Sequence, residues 1–139
     1  MVSSARNPVE AVEIVGRFTA ALAAGDVKTC LALLHPDNVF DEAPGLPFGG
    51  DYSGHEGFIR LLKDVGRLFE VKLSEPQVSP AGDCVLVRLT GTFTSRATGR
   101  TLETPVVDLY TVRDGKVARV DVFYKDTRAM AQLCAEDGR

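Results

Sequence analysis

Residues 104–126 read "TPVVDLYTVRDGKVARVDVFYKD", and this stretch decides the fold. Asp114-Gly115 supplies the positive φ values of a tight hairpin turn inside "RDGK", so two antiparallel strands flank it. Alternation along the first strand puts Val106, Asp108, Tyr110 and Val112 on one face. Along the second, Val120, Val122 and Tyr124 share a face, and Arg119, Asp121 and Phe123 take the other. A carboxylate on an apolar face needs a reason. Either that face is wet, or Asp108 is there for chemistry.

Upstream, "CVLVRLTGTFTSR" is a long strand with Val85, Val87, Leu89 and Phe93 on one side, returned by "ATGR" into "TLETPVVDLYTV". Glu70 to Gln77 reads as a further strand, with "SPAGD" as the turn after it. The first half of the chain has the helical period instead. Asn7 caps a helix with Pro8 at its first position and an apolar stripe of Ala11, Ile14, Val15, Phe18 and Leu22, and Gly25 stops it. Asp26 caps a short second helix carrying Val27, Leu31 and Leu34, which His35-Pro36 ends. "NVFDEAP" is a short extended piece leading into the glycine-rich loop "GLPFGGDYSG". Ser53 and Glu56 have capping-box spacing for a third helix with Phe58, Leu61, Leu62, Val65 and Phe69 on its apolar face. Asp126 or Thr127 caps a terminal helix from Arg128 to Cys134. Three helices followed by four long antiparallel strands predict one α+β domain over residues 1–139.

The composition sets limits on function. The 139 residues are 45% hydrophobic and 25% charged, enough to bury a core. A net charge of −3 argues against a nucleic-acid or anionic-membrane binder. No apolar run is long enough to span a bilayer, and "MVSSARNPVEAV" lacks the pattern of a signal peptide. Cys30, Cys84 and Cys134 are odd in number and far apart, so they read as reduced thiols in a cytoplasmic protein. Two histidines, His35 and His55, and no HExxH predict no metal site. The glycine-rich loop lacks the lysine and spacing of a phosphate loop, which argues against nucleotide binding.

Three stretches look familiar: "AAGDVKTCLALLHPDNVF" (residues 23–40), "YSGHEGF" (52–58) and "VVDLYTVRDGKVARVDVFYKD" (106–126). Through them nearly the whole chain resembles the nuclear transport factor 2-like superfamily, and within it the SnoaL-like and ketosteroid-isomerase-like proteins. The resemblance implies a cone: a curved antiparallel or mixed sheet wrapped around the N-terminal helices, with a deep apolar pocket. It implies a general base in "NVFDEAP", best matched by Asp41 with Glu42 as competitor, and a protonated, hydrogen-bond-donating acid at Asp108. It also implies a pocket aromatic at Tyr124, while Phe18 stands where the isomerases carry an oxyanion-hole tyrosine. SnoaL-type polyketide cyclases use pocket acids for proton transfer in an aldol closure.

Each candidate has a plainer alternative. Asp108 is a pocket acid or a solvated one on an exposed strand face. Asp41 is a base or a turn residue before Pro44. Tyr124, Val122 and Tyr110 line a pocket or pack a core. His55 reaches a pocket rim or sits exposed in the first turn of the third helix. Phe48 and Tyr52 belong to a lid or to a simple surface loop. The expected function is cofactor-free acid–base isomerisation or cyclisation of a hydrophobic small molecule bearing a carbonyl or enol. Asp41 and Asp108 are its acids, and Phe18, Phe48, Tyr52, His55, Tyr110, Val122 and Tyr124 line its site. A homodimer through the outer sheet face is expected. The alternatives are a non-catalytic binding module and a protein-interaction domain.

Overall fold

A computed structural model of the protein describes residues 7–135; the first half of the stretch read for a signal peptide lies before them. Helix α1 spans Pro8–Ala23. The Asn7 side chain accepts hydrogen bonds from the backbone N–H of Val9 and Glu10 at 3.1 and 3.2 Å, satisfying donors that Pro8 does not add to. Helix α2 spans Val27–Leu33, capped by Asp26, whose carboxylate accepts from Thr29 N and from Thr29 Oγ1. Helix α3 spans Gly54–Leu68, and α4 spans Thr127–Cys134 with Asp126 as its cap.

Seven strands form one sheet: β1 (Leu34–Glu42), β2 (Gly50–Ser53), β3 (Phe69–Leu73), β4 (Gln77–Ala81), β5 (Cys84–Ser95), β6 (Thr101–Arg113) and β7 (Lys116–Tyr124). Their order is β2-β1-β7-β6-β5-β3, with β4 also on β5. β1 runs parallel to β7 and every other pair is antiparallel. The sheet curls strongly into a half-barrel, the mixed α+β cone that was expected. Asp114 and Gly115 take φ of 56° and 73°, the left-handed pair that the β6–β7 hairpin requires.

Several expectations change. Helix α2 ends at Leu33, and Leu34 already belongs to a strand that carries His35-Pro36 within it. The proline is accommodated because the β1–β7 register shifts between Leu34 and Val39. The second half of the glycine-rich loop is strand β2, with Asp51 opposite Asp41 and Gly50 opposite Glu42. Gly50 enters it at φ 99°, open to glycine. The strand expected over 70–77 is two strands, broken at residues 74–76, and Ser79, Pro80 and Ala81 lie in β4 instead of a turn. Pro76 has no N–H for a ladder, and Ser74 bridges the break by exchanging hydrogen bonds with Thr90. Phe69 starts β3, not the end of a helix face, and Ser53 caps α3 by position without a side-chain bond.

The main core lies between α1, α3 and the concave sheet face. Its centre is an aromatic cluster in which Phe18 meets Phe40, Phe58 and Tyr110 at ring distances of 6.2, 5.9 and 5.9 Å. A second cluster closes one end of the cone. There Met130 and Leu133 of α4 pack on Leu46, Phe48, Phe69 and Phe93, with the Tyr124 ring against them.

Candidate active site

Strand register brings two carboxyls onto the concave face. In β6, Asp108 pairs with Val122 of β7 on one side and Val87 of β5 on the other. In β1, Phe40 lies beside Val120, so Glu42, two residues on, points into the same concavity near Val122. Glu42 is only 5% exposed. Tyr124 Oη donates to Glu42 Oε1 at 2.9 Å. The Tyr124 ring is held edge-on between Phe48 and Phe93, at 6.2 and 6.1 Å.

Asp108 is partly buried, and its Oδ1 is shut away from solvent without a hydrogen-bond partner. An unpaired buried carboxyl oxygen is expensive, and the group responds by keeping its proton. Burial pushes Asp108 up to about 7. Burial likewise pushes Glu42 up to about 7; the Tyr124 hydrogen bond opposes the rise, and the negative charges of Asp108 and Asp41 add to it. Both carboxyls are thus held close to neutral pH, and the charge of Asp108 reaches Glu42 across the concave face. Burial first, then Glu42, raises the Tyr124 hydroxyl far above its usual range, and burial does the same for Tyr110 beside Asp108. Both phenols stay protonated and act as donors.

Asp41 is placed differently from the expectation. Phe40 belongs to the core, so strict alternation turns Asp41 outward. Its side chain is 40% exposed and accepts from Arg119 Nη2 at 3.0 Å, while Arg119 Nε donates to Asp121. The inner carboxylate of this strand is Glu42, the competitor to Asp41. The parity of Phe40 was the signal that separates the two.

The expected lining residues divide. Val122 and Tyr124 lie beside the two carboxyls. Tyr110 shares their face one step along β6 but is packed into the aromatic cluster. Phe18 is 0% exposed and is core, with its ring edge-on to Tyr110. Phe48 belongs to the end-closing cluster and touches the site through Tyr124. Tyr52 faces α3 instead. Its hydroxyl lies 3.0 Å from both the Phe48 carbonyl and Asp64 Oδ2, and Arg60 stacks on its ring at 4.5 Å, so it ties the loop to the helix. His55 Nε2 sits 3.0 Å from the Leu34 carbonyl and lines a depression on the outer side of α3 with Glu56, Ile59 and Lys63. That depression and another along α1 do not touch Glu42, Asp108 or Tyr124. Sequence reasoning missed Met130 and Leu133, which close the end of the cone over Tyr124. Among the described residues no group of three or more His, Cys, Asp or Glu is arranged to hold a metal ion, and no helix is long and apolar enough to cross a membrane.

The SnoaL-like domain family matches residues 15–120. The chain belongs to this family. Its SnoaL-like fold is shared with a solved NTF2-like protein of Burkholderia xenovorans LB400, 32% identical, with 91% of this chain and 97% of that one covered and a TM-score of 0.81. TerC, co-crystallised with polyporic acid, is 27% identical over 91% and 98% of the two chains, with a TM-score of 0.80. A candidate polyketide cyclase of Pseudomonas putida KT2440 is 25% identical over 88% and 96%, with a TM-score of 0.70. No curated protein matches the chain. The SnoaL-like frame is of a ligand-binding, isomerase- or cyclase-type fold.

Proposed function

We propose that the protein catalyses proton transfer at carbon in a hydrophobic small molecule bearing a carbonyl or enol, as an isomerase or a polyketide-cyclase-like enzyme, with Glu42 and Asp108 as its acid–base pair. The single observation that carries this reading is the orphaned Oδ1 of Asp108, buried on the same concave face as Glu42. Such an oxygen is satisfied by a ligand's polar atom. In the reaction one carboxylate takes a proton from the carbon next to a carbonyl, and the electron pair moves to the carbonyl oxygen. The other carboxylic acid donates a hydrogen bond to that developing oxyanion, and the proton then returns to a different atom. The step needs no cofactor. Carboxyls poised near pH 7 suit it because each protonation state is populated at working pH. The candidate polyketide cyclase and the TerC–polyporic acid complex support a small organic ligand. With this reading go a cytoplasmic setting and a homodimer across the outer sheet face, where Phe123 is 53% exposed.

The test is solvent deuterium exchange. The protein is incubated in heavy water with a panel of cyclic ketones and phenols, and deuteration at carbon is read by mass spectrometry. Exchange is expected to fall about 100-fold in Glu42→Gln and in Asp108→Asn. Equal rates for the wild type and the double variant across the panel would sink the proposal. A second reading, a non-catalytic binding module, is favoured by Phe18, a fully buried phenylalanine where the isomerases use a tyrosine donor. It predicts a ligand that binds without exchange.

A further inference from the structure

The two inner carboxyls are unequally served. Glu42 receives a hydrogen bond from a phenol, and Asp108 Oδ1 receives none. Tyr124 cannot easily redistribute this help. Its ring is gripped edge-on by Phe48 and Phe93, in the cluster that α4 closes with Met130 and Leu133, so its hydroxyl is aimed at Glu42. A donor held in place favours the charged form of its acceptor.

We propose that Tyr124 is a positioning residue: its clamped hydroxyl makes Glu42 the carboxyl of the pair that ionises first, while Asp108, which receives no such bond, keeps its proton longer. This rests on the acid–base reading for its meaning but not for its test. The groups acting on the pair come from every side. Asp41 neighbours Glu42 on β1, Tyr52 on β2 feels the Glu42 charge while its hydroxyl is turned to α3, Asp108 and Tyr110 come from β6, and Cys134 approaches Tyr124 from α4. Of these, only Tyr124 places a hydroxyl within hydrogen-bonding distance of Glu42 among the described contacts. Asp108 and Asp41 bear on Glu42 by charge, in the same sense in any ring orientation of Tyr124.

The experiment is a carbon-detected NMR titration of the side-chain carboxyls in the wild type and in Tyr124→Phe, which keeps the ring and its packing. In the wild type Glu42 is expected to titrate before Asp108 as pH rises. In Tyr124→Phe the Glu42 midpoint should rise by about one pH unit, the worth of a charge-assisted hydrogen bond, and the order should merge or invert. A Phe48→Leu variant, with the hydroxyl kept and the ring's clamp loosened, should give a smaller rise in the same direction. If Glu42 titrates at the same pH with and without the hydroxyl, or if Asp108 ionises first in the wild type, the assignment is overturned. Neither readout involves a substrate, so an inactive protein with the expected titration order would refute the catalytic reading and leave the role of Tyr124 standing.

Discussion

Holding Asp108 and Glu42 against their ordinary ionisation must weaken the fold as pH rises, and Asp108→Asn measures by how much. Asp108 moves from 3.8 to about 7 on folding. A group whose pKa is raised in the folded state is not penalised below its unfolded value. The penalty grows as pH climbs toward the folded value and is complete above it. At about 1.4 kcal/mol per unit, the part falling between pH 5 and pH 8 is roughly 3 kcal/mol, trimmed to about 2 by water reaching the exposed part of the side chain. Glu42, raised from 4.5 to about 7, adds a drop of similar size in the same window. Wild-type stability should therefore fall steeply from pH 5 to pH 8, and Asp108→Asn should lose about half of that slope. Urea unfolding at both pH values for both proteins gives the four free energies needed. The amide's own packing effect is the same at both pH values and cancels. The variant should gain roughly 2 kcal/mol relative to wild type on going from pH 5 to pH 8, or about 6 °C in melting temperature. A variant-minus-wild-type difference that is flat with pH, within about 0.5 kcal/mol, would refute the claim that burial holds Asp108 near neutrality.

Asp41→Asn should leave both the deuterium-exchange activity and the Asp108 titration nearly unchanged, and cost under about 1 kcal/mol, because its partner Arg119 is an exposed ion-pair neighbour that keeps Asp121. Activity assays and urea midpoints check both parts, and loss of exchange in this variant would return the base to Asp41. Gly57→Ala should destabilise α3 by roughly 1–3 kcal/mol although alanine is the better helix former, because a Cβ there would stand 2.7 Å from the Tyr52 backbone carbon. A thermal melt reads this, and a stabilised variant would show that β2 and α3 can move apart at no cost.

How much of this was legible in the sequence depends on where each residue's instructions lie. The hairpin of β6 and β7 was readable because both strands alternate cleanly and Asp114-Gly115 closes them. The inward face of Asp108 came from the same alternation. Helices α1 and α3 were readable from their apolar stripes and glycine or serine boundaries. Strand β2 was not, because Gly50, Asp51 and Ser53 are poor strand formers, and only pairing with β1 makes them extended. Asp41 and Glu42 could not be told apart by type or by nearness to Pro44. Their faces follow from Phe40, whose burial is decided by Phe18 and Phe58 on two different helices. The resemblance implies a deep apolar pocket, and the aromatic cluster packs the middle of the concave face; a phenylalanine reads the same whether it packs a core or lines a cavity.

The parallel pairing of β1 with β7 has a consequence for how the molecule is made. Asp41 lies opposite Asp121, and the Glu42–Tyr124 hydrogen bond joins residues 82 positions apart. The first hairpin, β1 with β2, thus has one bare edge until the ribosome has produced β7. The helices and the β5–β6 hairpin can form from neighbours in the chain, but the edge must wait, and contacts this distant slow folding. Both carboxyls are made before that wait ends, since Glu42 and Asp108 precede β7 in the chain. A nascent chain can hold both as ordinary solvated acids, and their raised hold on protons arises in the last act of assembly, when the closing strand draws them to one face.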